Sequence, residues 1–250
     1  MGTLLMRLAA PLQSWGAEAK FDWRKTNREP TKSGVIGLLA AALGRRRDDS
    51  LEDLNRLRFG VRVDQEGELL HDFHMVRGTK SSYVTTRDYQ SDAVYLAGVE
   101  SSDEEFLKRL EEALHRPAFP LYLGRRACPP TLPLCLGIRD MTLEEALRRE
   151  PWQAAAWKKK RAAKGIADED NRGIRLRIVL DAKPNEPENF VEKDIPVSYN
   201  PRFRQFGYRR LREEETALLM EKRILQRDRT SHDPMGELEE EDVSDESSFE

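Results

Sequence analysis

Residues 29–47, "EPTKSGVIGLLAAALGRRR", carry an apolar run between two basic ends. Thr31 or Ser33 stands where a helix cap belongs, Gly44 follows the last apolar position, and Val35, Ile36, Leu38, Leu39 and Leu43 are separated only by small residues. The stretch predicts a helix buried in a core. Its "TKSG" shares a Lys-Ser pair with nucleotide-binding P-loops, but the glycine-rich segment that wraps a triphosphate is missing, which excludes an NTPase. What remains is a helix N-terminus with Lys32 beside it, able to seat one backbone phosphate, or a capped core helix that carries a lysine. At the other end, Arg45, Arg46 and Arg47 meet either a protein neighbour or the helix's own last carbonyls.

Upstream, residues 4–8 are apolar and are followed by Pro11 and Gly16, the pattern of a buried strand and a loop. The loop turns basic and aromatic through Lys20, Phe21, Trp23, Arg24, Lys25 and Arg28. Downstream, Phe59, Val61 and Val63 alternate with Gly60 and Arg62 as in a half-buried strand, and residues 93–100 predict another. "SSDEEFLKRLEEALHRP" predicts a helix with Ser102 and Glu105 as a capping box, Leu107, Leu110 and Leu114 inward, and Pro117 past its end. "FPLYLGRRACPP" predicts a last strand. This order of strand, helix, strand, strand, helix, strand is the split βαβ of a ferredoxin-like α+β domain. Residues 72–92 lack a helical stripe and fit a protruding hairpin, spanning about 72–96.

Beyond Asp140 the text becomes helical and rich in Lys and Arg, then predicts a strand with Ile174, Leu176, Ile178 and Leu180 on one face and a helix from Leu211 to about Arg227. Residues 148–235 are expected to form a small C-terminal α/β domain after a first domain of 1–147. A chain of 250 residues, 38% hydrophobic, supports one core or a core and a satellite, not three domains. Residues 236–250 hold eight of the 45 acidic residues and no Lys or Arg, so they are expected to be disordered. The preceding body holds the other 37 acids against all 42 Lys and Arg, which favours a polyanion or an acidic surface as partner. No cleavable leader or membrane-length apolar run is visible, and a cytoplasmic protein is expected.

Cys128 and Cys135 are too widely spaced for a redox CxxC and are expected to be reduced and structural. His71 and His74 have no further ligands at metal spacing, so neither metal nor cofactor is expected. His74, Lys80 and Tyr83 could supply a metal-independent ribonuclease, while a hairpin-bracing His74 is the plainer role. The strongest chemical signal is arginine and lysine mixed with aromatics at four places: the loop around Trp15 and Trp23, the hairpin with Arg77, Lys80, Tyr83, Arg87 and Tyr89, the corner Arg125-Arg126, and residues 202–210. Guanidinium forks fit phosphates and rings give unstacked bases a platform, the combination that holds single-stranded nucleic acid.

"LAAPLQSWG", "PTKSGVIGLLAAALG", "LRFGVRVDQEG", "TTRDYQSDAVYLAGVE", "FPLYLGRRACPP" and "PRFRQFGYRR" resemble the CasD-type subunits of type I-E CRISPR Cascade complexes. The resemblance implies a ferredoxin-like (RRM-like, RAMP superfamily) domain with a thumb hairpin. It implies a ribonucleoprotein subunit of antiviral defence that binds the crRNA 5′ handle without cutting it. The CasC backbone subunit and the CasA large subunit would be its neighbours, with target DNA near the PAM end reached indirectly. Carried onto the matching motifs, it implies RNA contacts at Gln13, Trp15, Lys32, Ser33, Gly34, Arg87, Tyr89, Arg125 and Arg126, with Arg77, Lys80 and Tyr83 on the thumb. A processing endoribonuclease is the alternative, since a related subunit of another CRISPR type cleaves its precursor.

Overall fold

The computed structural model describes residues 1–218 other than 17, 18, 21, 79–81, 167–173, 184, 185 and 187–189. In chain order these are β1 (Gly2–Ala9), β2 (Leu12–Gln13), β3 (Ala19–Lys20), β4 (Trp23–Arg24), α1 (Lys32–Ala42), α2 (Glu52–Asn55) and β5 (Arg58–Gln65). Next come β6 (Glu68–Arg77), β7 (Ser82–Ser91), β8 (Val94–Ser101), α3 (Glu104–His115), β9 (Cys135–Arg139) and α4 (Leu143–Arg149). The last are α5 (Ala156–Ile166), β10 (Ile174–Asp181), β11 (Phe190–Ser198) and β12 (Gln205–Leu218). The result is a mixed α+β fold built on a seven-stranded antiparallel sheet in the order β11-β12-β10-β5-β8-β1-β9. A smaller sheet, β2-β7-β4-β3 with β6 on β7, stands beside it.

Helix α1 forms where its sequence predicts. Thr31 caps it by accepting the Gly34 N–H, and Gly44 leaves it at φ 77°, a conformation that favours glycine. Its Val35, Ile36, Leu38 and Leu39 join Leu107, Leu110 and Leu114 of α3 over one face of the large sheet. The α3 cap is Asp103, which accepts from Phe106 N at 2.9 Å, rather than the predicted Ser102. The opposite face is also covered, by Leu143 and Leu147 of α4 packed on Leu5, Leu96, Ile178 and Leu180. This second layer explains why β5, predicted half-buried from its alternation, is buried on both faces. Arg62 lies wholly inside, where it binds Asp64 and donates to the Leu147, Glu150 and Pro151 carbonyls at the end of α4.

Two further expectations are corrected. Residues 119–130 form a loop, because Pro120, Pro129 and Pro130 and the positive-φ Gly124 deny it a ladder, and Cys135–Arg139 takes the edge place beside β1 instead. The helix predicted from Leu211 is a strand as far as Leu218, since β10 offers it a free edge from Asp181↔Leu211 to Ile174↔Leu218. The rest of that prediction, and the acidic tail, lie outside the described residues. The strands of residues 174–218 join the sheet of β1, β5 and β8, with Val179 of β10 opposite Val61 of β5.

The predicted hairpin is β6 and β7, paired from Glu68↔Ser91 to Arg77↔Ser82. It is shorter at its end than expected, since residues 94–96 already belong to β8. It carries exposed apolar side chains, with Phe73 70% and Met75 62% exposed, and Leu69, Leu70, Tyr83 and Val84 also open.

Candidate nucleic-acid interface

Two clusters of charge compete for the role of a polyanion site. The first surrounds the N-terminus of α1. Lys32 is only 5% exposed. Its Nζ donates to Asp181 Oδ2 at 2.9 Å and to the Leu57 carbonyl at 2.8 Å. The backbone N–H of Lys32, at the first turn, donates to Asp194 Oδ2 at 2.7 Å. Arg209 closes the cluster by binding Asp181 at 2.7 Å and Asp194 at 2.8 Å. The anion that a helix N-terminus attracts is here an internal carboxylate, and two cations face two anions. Burial opposes ionisation of Asp181, but Lys32 and Arg209 outweigh it and hold its pKa below the usual carboxylate value. The same two carboxylates keep the Arg209 pKa raised against its burial.

The second cluster lies at the root of the β6–β7 hairpin. Asp88 of β7 is its hub. Its Oδ2 accepts Trp23 Nε1 at 2.9 Å, its Oδ1 meets His71 Nδ1 at 2.8 Å, and its carbonyl accepts Ser14 Oγ and Arg125 Nη1. Trp23 stands edge-on to His71 with centroids 6.4 Å apart, and Lys25 lies 5.3 Å over the Trp23 ring. Arg125 also donates to the Arg24 carbonyl at 2.6 Å and stacks 4.6 Å over Tyr89. Arg24 pairs alongside Arg87 across β4 and β7. The half-buried Arg87 keeps a buried Nε without a hydrogen-bond partner among the described residues, whereas Trp23, Arg24, Lys25 and Arg126 are exposed. Cations and an open ring therefore share one surface, and the carboxylate beneath them is already engaged.

Residues 3–212 match the family described as CRISPR-associated protein (Cas_Cas5). The chain belongs to that family. Over 156 residues it is 37% identical to the CRISPR system Cascade subunit CasD of Escherichia coli (strain K12), covering 54% of this chain and 70% of that protein. A solved chain described as a CRISPR RNA-guided surveillance complex superposes with a TM-score of 0.72 at 30% identity, covering 86% of this chain and 90% of the other. A second, described as the crystal structure of a Cas protein, gives 0.64 at 37% identity, covering 86% and 95%.

In this Cas5 chain the predicted contact residues divide. Gln13, Trp15, Lys32, Ser33 and Tyr89 are buried. Gln13 donates to the Ala93 carbonyl at 2.7 Å and accepts from Trp15 Nε1. Trp15 packs so closely on Gly34 that a Cβ there would stand 2.8 Å from its ring. Ser33 lies 3.2 Å from the capping hydroxyl of Thr31. Arg77, Tyr83 and Arg126 are exposed, Arg87 and Arg125 half-buried, and Lys80 lies outside the described residues. Gly124 brings the "LGRR" corner into place, since any Cβ there would meet the Ser14 carbonyl at 1.7 Å and its φ is 90°. Of the patch at 202–210, residues 205–210 lie in the large sheet, with Arg209 buried. The Arg45 side chain binds Asp53 of α2, while its backbone N–H donates to the Ala40 carbonyl of α1 at 2.9 Å. Sequence reasoning missed Asp88, whose signal was an acid amid the basic and aromatic "TTRDY".

No helix among the described residues is long and apolar enough to cross a membrane.

Proposed function

We propose that this Cas5 protein is a non-catalytic subunit of an RNA-guided surveillance complex that holds the 5′ handle of a crRNA at the hairpin root. The carrying observation is the convergence of Trp23, Arg24, Lys25, Arg87 and Arg125 around β7, from three segments distant in sequence, with the exposed Arg126 next to Arg125 in the chain. Such a surface matches phosphates with guanidinium groups and a base with an indole face. In this reading the large sheet with α1 and α3 is the ferredoxin-like frame, and β6–β7 is the thumb. The exposed Phe73, Met75, Tyr83 and Val84 on that thumb support contact with a neighbouring backbone subunit of the CasC kind, and the complex acts in the cytoplasm. Contact with a CasA-like large subunit and indirect proximity to target DNA follow from the Cascade likeness.

The processing alternative rests on His74. Its Nε2 is hydrogen-bonded to Asp72 on the same strand, which suits a brace for the hairpin. Labelled repeat RNA incubated with the purified chain in EDTA is expected to stay full-length while crosslinking to residues 22–25 and 83–89. Cleavage that disappears in His74→Ala would replace this reading with the ribonuclease.

A further inference from the structure

At the far edge of the large sheet, away from the charge clusters, helix α3 presents Glu111 and His115. They are one helical turn apart and therefore on one face. Cys135, the first residue of β9, lies beneath that face and pairs with Met6 of β1. A carboxylate oxygen of Glu111, a ring nitrogen of His115 and Sγ of Cys135 all lie within 4.8 Å of one another. Among the described residues no side-chain hydrogen bond or ion pair engages Glu111 or His115, and the Cys135 sulfur accepts the Gly137 backbone N–H. Gly137, at φ 92°, leaves room for the carboxylate, since a Cβ there would stand 3.3 Å from Glu111 Oε1. Arg139, whose charge acts on this thiol, is held by Glu150 at 3.0 Å.

From this juxtaposition we propose a divalent metal site for Zn²⁺, with Glu111, His115 and Cys135 as its three protein ligands and an open fourth position. Carboxylate, thiolate and neutral imidazole together carry two negative charges and balance the ion. The thiolate and imidazole select a borderline-soft metal over Mg²⁺ or Ca²⁺. Tetrahedral bonds of about 2.0–2.3 Å put ligand atoms about 3.3–3.8 Å apart. Closing from 4.8 Å asks for about an ångström of movement, which the partly exposed Glu111 and exposed His115 can supply by rotation. Ligation replaces the Cys135 thiol proton, which passes to solvent. The bound ion ties β9, an edge strand preceded by a long loop, to α3.

The test uses the full chain, stripped with chelator, and Co²⁺ as an optical probe. The wild type is expected to take up one Co²⁺ with a thiolate charge-transfer band and four-coordinate visible bands, all displaced by one equivalent of Zn²⁺. His115→Ala and Glu111→Gln, both at solvent-accessible positions, weaken binding by about tenfold or more, and Cys135→Ser removes the charge-transfer band. Cys128→Ser, the other thiol, leaves the spectrum unchanged. Zn²⁺ raises the Tm of the wild type and not that of His115→Ala. A wild type that leaves Co²⁺ in its aqueous spectrum overturns the site, as does a thiolate band that survives His115→Ala at full affinity or vanishes in Cys128→Ser.

Discussion

The two basic clusters of this Cas5 chain look alike as sequence and behave oppositely as structure. At the start of α1, a lysine beside a helix N-terminus meets the ordinary description of a phosphate seat, yet Asp181, Asp194 and Arg209 have already neutralised it inside the protein. At the hairpin root, no single segment resembles a phosphate site, yet three of them meet in the open around Asp88. A cation reports on a partner only when the fold has not supplied its counter-charge. The first cluster is a lock joining α1 to β10, β11 and β12, and the second is a surface held ready.

The difference can be tested by removing one member of each. Arg209→Ala leaves two buried carboxylates facing Lys32 alone and should lower stability by about 3–5 kcal/mol, read by urea denaturation, with RNA affinity per folded molecule unchanged. If Arg209→Ala instead weakens RNA binding at full stability, the buried cluster is not a lock. Arg87→Ala with Arg126→Ala should do the reverse, weakening handle RNA by about 1–3 kcal/mol in a filter or anisotropy assay with an unmoved Tm. For Arg126→Ala alone, the slope of log affinity against log salt should flatten by about one. A surface cation that merely solvates would leave that slope alone.

A third ion cluster, less buried than the first, grades the contrast. Arg58 grips Glu144 with two bonds of 2.7 and 2.6 Å, and this pairing pulls the Glu144 pKa from its ordinary 4.5 to about 2. A depressed carboxylate stabilises the fold fully above its unfolded pKa. The gain is then lost as pH falls through the folded value, here between about 4.5 and 2. Glu144→Gln should therefore cost about 1 kcal/mol at neutral pH, the smallest of these effects on stability, and the difference from wild type should vanish near pH 2. A difference that persists undiminished in acid would assign the loss to packing.

The buried helices and most central strands could be read from the chain because their signals are local. Caps, glycine at a helix end and leucines at helical spacing all lie within one turn or a few residues of what they govern. The loop at 119–130 and the strand at 205–218 could not be read in this way. The first was misread because prolines outweigh apolar content, and the second because a partner strand from residues 174–181 set its conformation. The candidate interface was half legible. "TTRDY" and "LGRR" marked two of the segments that meet at the hairpin root, but the burial of Tyr89 and the placing of Arg125 between Tyr89 and Arg24 depend on contacts between chain positions far apart.

By itself, the amino-acid order determined where α1 and α3 lie, that the body is basic, and which family motifs the chain bears. Only the tertiary structure decided which cations stay free for a ligand, because neutralisation acts through space at about 3 Å between residues such as Lys32 and Asp181, 149 positions apart. The same holds for Glu111, His115 and Cys135. One helical turn and one strand edge gather three donors that no spacing rule along the chain would have joined.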